Sequence, residues 1–236
     1  ILCVIYTTVK VKEMPPKEYA EFHGIDPQTQ KEKSPGMLTL LRKAPSTFWT
    51  VGLVQFFCWA AFMYMWTYTN GAIADTVWET TDVRSEGYQE AGNWVGILFA
   101  VQAIGSMLWA LLIPKFKSIK TAYVVSLLLG AVGFASVFFI HDQYILFASF
   151  LLIGAAWAAM LAIPFTLLTN SLSGDHIGTY LGLFNGTICL PQIVAAACGG
   201  ILLRMVGGSQ VSMFLIAGIL LVCGAATVYL VKEKRV

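Results

Sequence analysis

The sequence predicts an all-α membrane protein with six transmembrane helices, and three observations carry that prediction. Apolar residues make up 57% of the 236 positions and charged residues only 12%, about half the charged share of an ordinary soluble domain. The apolar residues gather into uncharged runs of about 20, long enough to cross roughly 30 Å of hydrocarbon. Lysine and arginine then sort by side once the runs are counted as six. A very apolar soluble helical protein has no need of runs that long.

Residues 1–9 are apolar and break off at Lys10 without the basic leader or cleavage site of a signal peptide, so they read as the end of a preceding transmembrane helix. Residues 10–47 mix both charges with Pro15, Pro16, Pro27, Pro35 and Gly36, the composition of a cytoplasmic linker with short helical pieces at most. Ser46 is a candidate N-cap for a first span over 48–73. An acidic loop from Asp75 to Glu90 leads to a second span over 91–113, stopped by Pro114. The basic turn of Lys115, Lys117 and Lys120 precedes a third span over 121–140. A fourth span over 144–170 and a fifth over 177–203 flank a turn carrying Ser173, Gly174, Asp175 and His176. After Arg204 and Gly207-Gly208 the sixth completes the unit 48–231, and 232–236 form a basic tail.

With six spans, one side holds Lys10, Lys12, Lys17, Lys31, Lys33, Arg42, Lys43, Lys115, Lys117, Lys120, Lys232, Lys234 and Arg235. The other holds Arg84 and Arg204 alone. A missed or extra helix would scramble that division, and the crowded side is the cytoplasmic one. Six spans with both ends cytoplasmic, after a long linker and the end of an earlier helix, match the second half of a six-plus-six transporter. There the solute site lies between two halves. The expected partners are therefore the N-terminal six-helix half, the lipid bilayer and a small solute, with no nucleic acid.

Polar residues inside apolar helices mark bundle interiors or cavities. In the first span Gln55, Trp59, Phe62, Trp66 and Thr69 form a narrow stripe at roughly 100° per residue, with Asn70 beside it. An amide followed by indoles suits a sugar, whose C–H faces stack on rings while its hydroxyls both donate and accept. The competing reading is that Trp59 and Phe62 pack on neighbours and Trp66 sits in an interfacial aromatic belt. In the second span Gln102, Gly105 and Trp109 share a face, and Gln102 needs a partner helix or a wet cavity. The fourth span sets Gly154 and several alanines around Trp157, the composition of a close-packing helix, and Pro164 removes a donor to the Met160 carbonyl. In the fifth, Gly178, Gly182 and Gly186 form a row for close helix approach, with Asn185, Pro191 and Gln192 on or near it. Substrate contacts are expected at Gln55, Trp59, Trp66, Asn70, Gln102, Asn185 and Gln192. Gating or packing is expected at Pro164, Gly178, Gly182, Gly186 and Pro191. For the amides, helix-to-helix hydrogen bonds compete with cavity lining on nearly even terms.

No Asp, Glu, Lys or Arg falls deep within any span. An ion-coupled carrier uses an embedded carboxylate, so a coupling proton or sodium ion is expected mainly in the N-terminal half. No phosphate-cradling loop or nucleophile–base pair is visible, which counts against an ATP-driven pump and against an enzyme. Five cysteines at unrelated spacings show no metal pattern and read as packing residues. No cofactor or metal is expected.

The segments Ile163-Pro164-Phe165, then Gly178 to Asn185 with glycine at 178 and 182, then Pro191-Gln192 resemble, in order and spacing, the glycoside–pentoside–hexuronide cation symporters and sucrose transporters of the major facilitator superfamily. The resemblance implies an alternating-access, cation-linked sugar or glycoside carrier, closer to bacterial members and so in a bacterial inner membrane. Tyr68-Thr69-Asn70-Gly71 stands where plant sucrose carriers have carboxylates. The basic turn at 114–120 lacks the aspartate of the superfamily's loop motif. A membrane receptor that binds without transporting, or a carrier for lipids and other amphiphiles, are the alternatives.

Overall fold

The computed structural model describes residues 2–10, 15, 18, 21–22, 36–172 and 177–231. Most of the expected linker, the turn at Ser173, Gly174, Asp175 and His176, and the tail 232–236 lie outside the described residues. The chain divides into a unit over 1–43 and another over 44–236. The helices of the first include α1 (Leu2–Lys10) and α2 (Met37–Lys43). The described side chains of α1 are exposed.

The second unit is all helical among its described residues: α3 (Ser46–Val77), α4 (Glu86–Ala110), α5 (Ile119–Val137), α6 (Leu146–Ser171), α7 (Ile177–Phe184), α8 (Gly186–Met205) and α9 (Ser212–Thr227). Counting α7 and α8 as one span, six of its helical stretches are long and apolar enough to cross a membrane. Local chemistry sets their ends. Pro45, in an extended conformation, precedes α3, so Ser46 is the first helical residue and not the expected side-chain cap. Its fixed φ admits a helix after it but not through it. Ser85 caps α4 by accepting from the Tyr88 amide at 3.2 Å, and Glu86 places negative charge in the first turn, where the helix dipole favours it. Asp142 accepts from the Tyr144 and Ile145 amides at 2.8 and 3.0 Å ahead of α6. Lys120 donates to the Val231 carbonyl at 2.7 Å, which ties the basic turn to the end of the last span.

Helix α6 packs against α4, α5 and α3, while α9 packs against α3 and α5 and α8 packs against α3. Helices α3 and α6 are the most enclosed, and α4 and α8 leave most of their apolar side chains open. Glycine decides where backbones meet. A Cβ on Gly105 would stand 2.6 Å from the Leu151 carbonyl oxygen, and one on Gly154 would strike the Gln102 carbonyl oxygen. The α4–α6 crossing is therefore closed by a glycine from each side. Gly133 does the same for α5 against α6, 2.7 Å from the Ser149 oxygen.

The expected packing row behaves otherwise. Gly178, Gly182 and Gly186 have nothing within 4 Å of their Cβ positions, so no described helix of this chain lies against them. The fifth span is also not one regular helix, because α7 and α8 are separated at Asn185. The Asn185 amide still reaches the carbonyls of Leu181 and Gly182, at 3.3 and 3.2 Å, so the interruption is a tightened turn and not a gap. Phe184 is fully buried against Phe48 and Phe165, which holds α7 to α3 and α6.

Candidate functional site

Helix α3 carries the most polar chemistry on its partly open side. Trp59, Trp66 and Asn70 are spaced by seven and four residues, so they lie within about 40° of one another around the helix. Trp66 is 41% exposed, Trp59 is 8% exposed and Asn70 is half-buried. Among the described residues two buried side-chain polar atoms have no hydrogen-bond partner, and both belong to this stripe: Trp59 Nε1 and Asn70 Oδ1. One is a donor and one an acceptor, eleven residues apart, or about 16 Å of helix rise. Buried polar groups are paired in most folds, so two orphans on one face point to something they are meant to meet.

The indoles are held by a third. Trp157 of α6 packs on Trp59, Trp66 and Phe62 with ring centroids at 5.8, 5.7 and 5.0 Å. The sequence placed Trp157 in a close-packed helix but did not assign it to the site. The available signal was one large ring among Gly154, Ala155, Ala156, Ala158 and Ala159, small neighbours that let α6 approach and project it. Phe62 is fully buried, pinned by Phe134 and Trp157, and serves as the floor of the cluster.

Gln55 belongs to the same stripe by spacing but occupies a different place. It is 0% exposed. Its Nε2 donates to the Met160 carbonyl at 3.2 Å, and its Oε1 accepts from the Tyr123 hydroxyl at 3.3 Å. It therefore ties α3 to α5 and α6 instead of facing open space in this half. Gln102 is buried where α4 crosses α6, and its side chain makes no hydrogen bond among the described residues. Asn185 is exposed beside the open glycine row, and Gln192 is half-buried on α8. The structure thus brings Trp59 and Trp66 together with Trp157, places Asn70 one turn further along α3, and keeps Gln102, Asn185 and Gln192 on other helices.

Pro164 is buried inside α6, which runs on through it. Pro191 is buried inside α8 and lines a hollow of about 240 Å³ with Phe48, Trp49, Gly52, Leu53, Phe56, Thr187 and Leu190. Helices α3 and α8 meet closely beside it at Gly52, whose Cβ position is 3.0 Å from Thr187 Cγ2. Cys58 is buried, whereas Cys189 and Cys198 are exposed on α8. Among the described residues no group of His, Cys, Asp and Glu could hold a metal ion.

The chain is 29% identical over 154 residues to the magnetosome protein MamH of Paramagnetospirillum magneticum, a match that covers 64% of this chain and 36% of that protein. The chain thus spans about a third of that relative's length. The family model described as Major Facilitator Superfamily matches residues 57–236, from inside α3 through all the later spans. By that match, and by its six membrane-capable helices, the chain belongs to the Major Facilitator Superfamily and has the fold of a six-helix half of it.

Proposed function

We propose that this chain is the C-terminal half of a secondary carrier that moves a neutral sugar or glycoside by alternating access, coupled to a cation bound mainly in the other half. The observation that carries the solute class is the α3 stripe. An unpaired donor at Trp59, an unpaired acceptor at Asn70 and the open ring of Trp66 between them suit a solute with hydroxyls at its rim and C–H faces in its middle. The lack of ionisable groups deep in the spans argues for a neutral solute, since a charged one in a low-dielectric site needs a counter-charge. The open faces of α4 and α8 supply the surface on which a second half docks, and Asn185 with the glycine row of α7 lies along it. In this reading the plasma membrane is bacterial and the lysine-rich side is cytoplasmic.

Counterflow of candidate disaccharides into proteoliposomes containing the full-length protein tests the proposal, because a receptor that only binds does not exchange solute. Asn70→Ala is expected to weaken apparent affinity about fivefold, the ratio set by a lost hydrogen bond worth ~1 kcal/mol. Absence of counterflow for every sugar, with exchange of an amphiphile instead, would overturn the solute class. The likeness to a magnetosome protein favours a second reading of location, in which the chain serves a magnetosome and not the plasma membrane. Fractionation of the source cells separates the two.

A further inference from the structure

Helix α6 contains a carbonyl that its own helix cannot serve. Pro164 has no N–H, so the carbonyl of Met160, four residues earlier, loses the donor that the helix provides elsewhere. In a membrane interior no water replaces it. Gln55 of α3 does: its Nε2 lies 3.2 Å from that oxygen. The opposite end of the same amide is fixed by Tyr123 of α5, whose hydroxyl donates to Oε1 at 3.3 Å. The Met160 carbonyl can only accept, so it sets which way the amide points, and the Tyr123 hydroxyl pairs the amide oxygen that this orientation leaves. Gln55, Tyr123 and Met160 are all 0% exposed.

We propose that Gln55 is a positioning residue that supplies the hydrogen bond Pro164 removes, and that this side-chain bond, beside the ring contacts of Trp157, fixes the indole-bearing stretch of α6 against α3. Placement along the two helices supports it. One turn on from Gln55 stands Trp59, three residues back from Met160 stands Trp157, and those two rings pack at 5.8 Å. The amide bond and the indole contact are consecutive rungs between antiparallel helices. An ordinary helix carbonyl is released only when its helix unwinds. The Met160 carbonyl is released by rotation of one side chain, so α6 has a joint at this level that costs no turn of helix. Gln55 has this role whichever solute is carried.

The test is a double-mutant cycle on the full-length protein, read by hydrogen–deuterium exchange of the amides around Pro164. Gln55→Leu keeps similar bulk and removes the donor. It is expected to raise local exchange about fivefold, the ratio that a hydrogen bond worth ~1 kcal/mol sets. In a Pro164→Ala background a backbone N–H again serves Met160, and the same change is expected to move exchange less than about twofold. Tyr123→Phe, which keeps the ring and removes only the hydroxyl that pairs Gln55 Oε1, should show the same dependence with a smaller effect. It keeps the proposal testable should Gln55→Leu not fold. Equal effects in both backgrounds would make Gln55 a space-filling residue and overturn the assignment, and so would no effect beside the native proline.

Discussion

At the scale of single residues, an unpaired buried donor is a stability cost of about 1–3 kcal/mol that a fold retains only where another need outweighs it. Trp59 Nε1 is such a donor. Trp59→Phe removes the N–H and keeps an aromatic ring against Trp157 and Trp66. The lost indole area destabilises, the lost orphan stabilises, and the two are of similar size. The expected outcome is a melting midpoint within roughly 3 °C of the parent and apparent solute affinity reduced about fivefold. Parallel thermal unfolding and binding measurements check it; unchanged affinity would remove Trp59 from the solute contact. The stripe was legible in the sequence because helical period brings Trp59, Trp66 and Asn70 onto one face. The fate of Gln55 was not. Spacing places it one turn from Trp59, but α5 and α6 decide whether that edge of the stripe is covered, and Tyr123 and Met160 come from far along the chain. Trp157 was hidden for the same reason, as its partners are on α3.

At the scale of helices, glycine spacing alone proved a poor guide to contact. The regular row Gly178, Gly182 and Gly186 is open, whereas Gly105 and Gly154, on different helices and with no shared period, close the α4–α6 crossing. A four-residue repeat says that a helix can be approached, and only the partner's own small residues say where approach happens. Substitution should separate the two kinds of glycine. Gly154→Ala drives a methyl into the Gln102 carbonyl and the Ser106 amide, backbone atoms that cannot step aside, and is expected to cost about 1–3 kcal/mol as overpacking. Gly182→Ala meets nothing among the described residues and gains helix propensity of up to about 1 kcal/mol. Thermal unfolding of the full-length variants reads both. A destabilised Gly182→Ala would mean that helices beyond these residues cover the row. The span boundaries themselves were legible to within a few residues, because hydrophobic length is set by the bilayer. The turn at Asn185 was not read, because apolar residues continue on both sides, although Asn185-Gly186 is a turn-forming pair.

At the scale of the whole molecule, the composition that identified a membrane protein also bears on energy coupling. The carboxylates of the spanning helices stand near their ends: Asp75 late in α3, Glu86 and Glu90 early in α4. Of these, Asp75 lines a small hollow of about 70 Å³ with Gly71, Thr81, Val83, Tyr88, Gly208 and Gln210. Gln210 lies directly on Gly71, so the loop before α9 rests on the end of α3 there. Were the coupling cation bound in this half, Asp75 would be its carboxylate. Yet Asp75 is exposed, and a coupling group must exchange between a sequestered and an open state to link ion and solute movement. Asp75→Asn is therefore expected to leave the pH or sodium dependence of uptake unchanged in the full-length protein, with at most a twofold change in rate. Uptake measured against pH and against sodium concentration, with and without the substitution, decides the matter. Loss of cation dependence on replacing Asp75 would move coupling into this half and overturn its assignment to the other.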